Sequence, residues 1–172
     1  MSAGLVTRSR VERSLAALEA ISLALSMGGI VTMGAIVAPA IFRTVPAPYS
    51  GDGMAVAFAR YDRAALAALV VALLMEAARA VVVKRVSRAD RARLAFVGVA
   101  LVMAAFIALR ITPAIAALHA QGAMRGVGEL GEQLEAIHVL ASRAGKVELA
   151  FEALVLVMLV VRPRDVGDRD DA

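Results

Sequence analysis

Four apolar stretches dominate this chain, at residues 21–42, 64–83, 94–109 and 147–161. The first runs 22 residues without a formal charge, and a helix needs roughly 20 apolar residues to cross a hydrocarbon core about 30 Å thick. The other three reach that length once a polar residue or an extended end is admitted. A composition 60% hydrophobic with only 15 acidic residues, and a mean hydropathy of +0.76, leaves too little polar surface to coat a water-soluble globule. The pattern predicts an all-α membrane protein, a four-transmembrane-helix bundle. Its spans cover about residues 15–43, 64–83, 94–117 and 144–162, within one membrane domain over 1–162. Residues 163–172 read as a charged, disordered tail. The first apolar run is much longer than a signal-peptide core, so the first span is expected to be permanent.

Charge sets the expected orientation. Arg8, Arg10 and Arg13 precede span one, Lys84, Arg85, Arg88, Arg91 and Arg93 crowd the link between spans two and three, and Arg162, Arg164 and Arg169 follow span four. Those eleven basic residues lie on one side; the other receives seven, Arg43, Arg60, Arg63, Arg110, Arg125, Arg143 and Lys146. By the positive-inside rule both termini are cytoplasmic. The location implied is the cell membrane, multi-pass, which is the inner membrane in a Gram-negative source. Nucleic acid is not a partner on this reading, because the basic residues mark span ends and lack interleaved aromatics. The bilayer itself is the partner, together with a homo-oligomer or a larger membrane complex, since four short spans enclose only a narrow path.

The chain has no cysteine, which excludes thiolate catalysis, Cys-ligated metals and disulfides. No H-x-x-x-H, Asp-rich or phosphate-loop pattern appears either. No cofactor or metal site is implied, and no enzyme is specified.

Pro46, Pro48, Ser50, Gly51 and Gly53 mark a turn after span one, followed by a helical approach over residues 54–63 with Phe58 and Tyr61 on one side. Gly122, Gly126, Gly128 and Gly131 predict a mobile loop before span four. In span one Ala24, Gly28 and Thr32 recur every four residues, Ser22 and Ser26 form a second row, and Gly34 and Ala38 a third. Such rows let helix backbones approach closely in a membrane.

Two groups of residues could carry chemistry. Pro39 and Pro113 fall in the last turns of spans one and three, where each removes a helical hydrogen bond and frees the carbonyl four residues earlier, at Ala35 and Leu109. Both kinks are expected at similar depth near the outer face, beside Arg43 and Arg110. Residues 131–162 lack proline and read as one helix about 48 Å long. On it His138, Ser142, Gly145, Leu149 and Glu152 fall on one stripe. That stripe should face the bundle, since His and Glu are costly in lipid. His138 and Ser142 thus join Pro39, Phe42, Arg110 and Pro113 in an outer-half cluster. An inner-half cluster comprises Glu19, Glu76, Arg79 and Glu152, with Arg79 snorkelling to the cytoplasmic headgroups beside Glu76. If all three acids converge on the single guanidinium, a proton or bound cation must balance the site.

Residues 29–42 (GIVTMGAIVAPAIF), the approach from Phe58 to Tyr61, residues 111–115 (ITPAI) and residues 134–149 (LEAIHVLASRAGKVEL) resemble the ordered signatures of the transmembrane-protein-205-like family. The specific parts are A-P-x-I-F ending span one, the proline late in span three and H-x-x-x-S entering span four. The resemblance implies a four-span membrane protein of unestablished activity, with one animal member linked to drug resistance and export. It places Pro39, Phe42, Pro113, His138 and Ser142 in the outer half.

The expected function is a small transporter or transport-associated subunit for a proton, cation or small organic solute. Two alternatives stay open. One is a haem- or metal-binding redox protein using His119 and His138; the other is a non-catalytic membrane scaffold.

Overall fold

The computed structural model describes residues 2–82 and 87–161, with side chains from Arg10 onward. Lys84, Arg85, Arg162, Arg164, Arg169 and the tail at 163–172 lie outside the described residues. The described residues form six α-helices: α1 (Ser2–Val31), α2 (Ala38–Thr44), α3 (Tyr49–Val82), α4 (Arg88–Phe106), α5 (Thr112–Ala120) and α6 (Gly128–Val160). A π-helical turn, Thr32–Val37, joins α1 to α2, and another, Ile107–Ile111, joins α4 to α5. Among the described residues there is no strand.

Among the described residues three rods are long and apolar enough to cross a bilayer: Arg10–Thr44, Tyr49–Val82 and Arg88–Ala120, with hydropathies of 2.0, 2.1 and 2.5. Four were expected. Helix α6 matches the others in length, but its last 18 residues carry Arg143, Lys146, Glu148 and Glu152, too many charges for an apolar span. The two basic residues are exposed and the two acids are buried in the bundle.

Each helix boundary has a local cause. At the start of α4 the Ser87 hydroxyl accepts from the Asp90 amide (3.1 Å), while the Asp90 carboxylate accepts from the Ser87 amide (2.8 Å). That reciprocal pair satisfies two of the otherwise unpaired amides of a helix start. The two π turns each lie just before a proline. Pro39 and Pro113 offer no amide, and their rings crowd the carbonyl four residues back. The ladder therefore shifts register by one: the Ala38 amide bonds Met33 and the Thr112 amide bonds Ile107, each five residues earlier. The expected freed carbonyls and kinks are thus realised as widened turns.

Helix α1 packs on α3, α3 on α4, α4 on α6, and α6 returns to α1. Leu23, Leu69, Ala72, Val97, Ala100, Ala104 and Val155 fill the centre, and the rings of Phe96 and Phe151 meet at 5.3 Å and 52°. Large apolar side chains such as Leu25, Val81 and Leu109 cover the outside. The row Ala24, Gly28 and Thr32 does not make the close packing expected of it. It is exposed, and nothing lies within 4 Å of a Cβ built at Gly28. The close approaches fall on the neighbouring row, where Ser22 and Ser26 are buried and Gly29 lies directly against the Tyr61 ring.

At one end of the bundle, here the loop end, α2 meets α3 and α5 meets α6. At the other, the terminal end, α1 starts, α3 gives way to α4, and α6 finishes. The loop-end approach helix is not separate: α3 runs unbroken from Tyr49. In place of a long glycine loop, only residues 121–127 separate α5 from α6. Gly122 and Gly126 there adopt φ of 78° and 76°, which favours glycine, and Gly131 sits inside α6 against the Met124 carbonyl.

Candidate functional site

Five carboxylates and two guanidiniums are buried among the described residues: Glu19, Asp62, Glu76, Glu148, Glu152, Arg79 and Arg93. They fall into two layers. Periodicity explains their inward aim. On α3, Asp62, Ala65, Leu69, Ala72, Glu76 and Arg79 recur at alternating spacings of three and four, and all six are buried.

In the layer towards the terminal end, Arg79 Nη1 donates to Glu19 Oε2 at 2.8 Å and to Glu76 Oε2 at 3.0 Å. Arg93 reaches Glu76 from α4, its Nη2 3.3 Å from Oε1 and its Nε donating to Oε2 at 3.4 Å; it also pairs with Asp90. Arg79 was expected to snorkel outward, yet only 3% of its side chain is exposed, because two carboxylates hold it inside. Two guanidiniums face two buried carboxylates, so charge nearly balances. The geometry does not satisfy every atom: Glu19 Oε1 and Arg79 Nε have no hydrogen-bond partner among the described residues.

The second layer has no buried cation among the described residues. Glu152 was expected beside Arg79; instead the Ser26 hydroxyl donates to its Oε1 at 2.7 Å. Ser26 lies seven residues beyond Glu19 on α1, about two turns or 10 Å along the axis. The Tyr61 hydroxyl donates to the Ser26 carbonyl at 3.0 Å, tying α3 to the same point. Glu152 is fully buried and its Oε2 has no partner among the described residues. One turn back on α6 stands Glu148, 3% exposed, and across on α3 is Asp62, which accepts from Thr112 Oγ1 at 2.6 Å. Among the described residues none of these three acids has an ion-pair partner.

The buried stripe of α6 is therefore Leu134, Ala144, Glu148, Glu152 and Val155. Gly145 and Leu149, expected on it, are half-buried flank positions, and Ser142 is exposed. The outer-half residues differ in burial. Phe42 is 51% exposed, Arg110, Pro113 and Ser142 are exposed, and Pro39 and His138 are half-buried. Around His138 a different group gathers. Burial, with the charges of Arg125 and His119 nearby, holds the imidazole below its ordinary range. Arg125 itself clasps Glu135, and its hydrogen bonds pull that carboxyl down. His119 rests on Gly51, where an added Cβ would stand 3.0 Å from the ring. Among the described residues no three His, Asp or Glu side chains are grouped to hold a metal ion.

Three buried residues escaped sequence reading: Asp62, Arg93 and Glu148. Asp62 continues the three-and-four spacing of Glu76 and Arg79, and Glu148 sits four residues from Glu152; both signals are present in the sequence. Arg93 looked like one more basic residue of the link before span three.

No curated protein and no solved structure matches this chain. A family model does match, over residues 21–124, which include α3, α4, both π turns and two of the buried acids, Asp62 and Glu76. The match covers more than half of the sequence, and the chain belongs to the family described as a domain of unknown function, DUF4149.

Proposed function

We propose that the chain is a four-span integral membrane protein of the cell membrane that carries protons or small cations along its buried acids, as a small transporter or a transport-associated subunit. The observation that carries this reading is the imbalance of five buried carboxylates against two guanidiniums. Arg79 and Arg93 match Glu19 and Glu76, leaving Asp62, Glu148 and Glu152 uncompensated. An isolated carboxylate in a low-dielectric interior is strongly disfavoured unless it takes up a proton or a cation, and acids inside a membrane bundle mark ion and proton pathways.

Their order along the axis supports a relay. Asp62 lies towards the loop end, Glu148 and Glu152 follow on α6, and the Glu19–Arg79–Glu76–Arg93 layer closes the terminal end. The hydroxyls of Ser26, Tyr61 and Thr112 supply the hydrogen bonds between helices. Guanidiniums at one end set a charge barrier there, so a proton leaving Glu152 must exchange past Arg79.

Helix α6 is the fourth span on this reading, with Glu148 and Glu152 turned away from lipid. Both termini are cytoplasmic; with Arg93 buried, the basic asymmetry of eleven to seven becomes ten to seven. Kinship with the transmembrane-protein-205-like family belongs to the same proposal. It is supported by the A-P-x-I-F and ITPAI motifs, both inside the matched region. A second copy or a larger complex would widen the path.

The test is proton flux in proteoliposomes with a pH dye inside. Wild type should dissipate an imposed gradient, and Glu152→Gln should slow it by about tenfold or more. Equal rates for protein-free, wild-type and Glu152→Gln vesicles would sink the reading.

A further inference from the structure

A groove of about 490 Å³ lies between α3 and the π turn with α5, walled by Ala55, Ala59, Leu66, Ala108 and Ala116. Asp62, Arg63 and Thr112 also line it. Asp62 is 6% exposed. Its Oδ2 takes the Thr112 hydroxyl, and its Oδ1 accepts no hydrogen bond from the described residues. The buried Asp62 side chain thus lines a mostly apolar groove of a volume ordinary for small-molecule sites.

We propose that this groove binds a lipophilic organic monocation, with the Asp62 carboxylate as its counter-ion. Each part of that description has a cause. The ligand is cationic because the buried charge is negative; Arg63 is exposed near the loop end, where its long side chain reaches the headgroups and leaves the groove to Asp62. It carries one charge because one carboxylate is present. It is organic because a bare metal ion needs several oxygen ligands, and the groove offers only Asp62 and the Thr112 hydroxyl. It is lipophilic because the walls are Ala, Leu and Val, and the lining residues Val56 and Leu109 are 55% and 69% exposed on the apolar outside of the bundle. Entry is therefore lateral, from hydrocarbon. The inference rests on the chain being membrane-embedded, as proposed above, and not on proton movement through Glu152.

The probe is radiolabelled tetraphenylphosphonium, bound to full-length protein in phosphatidylcholine nanodiscs and corrected for empty discs. Tetraphenylborate, the anion of the same shape, separates charge recognition from simple partition. Wild type should bind the cation saturably and the anion no better than empty discs. Asp62→Asn should weaken the cation by about tenfold or more, the loss expected when a desolvated charge pair is broken, and Ala108→Phe should remove binding by filling the groove with Asp62 intact. If Asp62→Asn fails to fold, Ala108→Phe and the anion decide the matter. Binding of the cation undiminished in either variant overturns the proposal, as does equal binding of the anion or binding no greater than empty discs. Should flux depend on Glu152 while the cation ignores Asp62, the groove assignment falls alone. Should Asp62-dependent binding occur without any proton flux, the transport reading falls and the groove stands.

Discussion

Ser26 on α1 and Glu152 on α6 are joined by a 2.7 Å hydrogen bond inside the bundle, 126 residues apart in sequence. It is the one hydrogen bond that Glu152 makes among the described residues, since its other oxygen has no partner. Ser26→Ala therefore leaves a wholly buried carboxyl group unsatisfied, a loss of about 1–3 kcal/mol. Thermal unfolding in detergent should show it as a lowered Tm. Glu152→Gln, which still accepts from Ser26 and carries no charge, should unfold no earlier than wild type; a Tm well below that of Ser26→Ala would argue that Glu152 is held by something else.

Arg79 bridges Glu19 and Glu76 with a single nitrogen. Arg79→Ala strands Glu19 without its ion pair and should destabilise the fold by roughly 3–5 kcal/mol. Adding Glu19→Gln to Arg79→Ala should restore part of that stability, because it removes the stranded charge. An unchanged double mutant in a denaturation series would mean that the two charges are not coupled.

Two adjacent glycines of α1 make opposite predictions. A methyl group at Gly29 collides with the Tyr61 ring, whereas one at Gly28 meets nothing within 4 Å. Gly28→Ala should be neutral or stabilising by up to about 1 kcal/mol through helix propensity. Gly29→Ala should destabilise by about 1–3 kcal/mol and shift Tyr61 away from the Ser26 carbonyl. Equal melting temperatures for the two variants would contradict the α1–α3 contact described above.

At the loop end, pH acts through His138. Its pKa in the fold lies below the ordinary 6.5, chiefly through burial and then through Arg125 and His119. The folded state thus prefers the neutral ring. Its contribution is fully present above pH 6.5 and is lost as pH falls through the lowered value. Glu135, pulled down by Arg125, acts in the same direction but in a lower window, beginning below its ordinary 4.5. Wild-type Tm should fall on acidification from pH 6.5, and His138→Gln should flatten that first decline while leaving the one near pH 4 in place. A slope unchanged by His138→Gln would remove the histidine as its source.

Much of this interior was legible in the chain. Helical rods follow from the apolar runs, and Glu76 with Arg79 share a face by spacing alone. The stripe on α6 was placed a fraction of a turn off: Gly145 and Leu149 stood in for Ala144 and Glu148, because a helix bearing both polar and apolar residues all round fixes its buried face only by packing. Asp62 lay in register with Glu76 but at the loop end, where a charged residue reads as solvent-exposed. The meetings of Glu19 with Arg79 and of Ser26 with Glu152 depend on the axial offsets of α1 from α3 and α6. No local spacing encodes those offsets. Likewise the outer prolines announced a disturbed ladder, but whether a helix answers with a break, a bend or a π turn is decided by its neighbours.

The π turn before Pro113 has an effect beyond its own hydrogen bonds. One surplus residue in a turn rotates everything that follows by about 100° about the axis, so Ile107–Ile111 sets the angular phase at which α5 begins. Thr112 is the first residue of that helix, and its hydroxyl is what Asp62 accepts. Pro113, which cannot supply the amide of a regular ladder, keeps the turn from relaxing to 3.6 residues. An exposed imino acid with no N–H to offer Asp62 thereby fixes which way the hydroxyl beside that acid points.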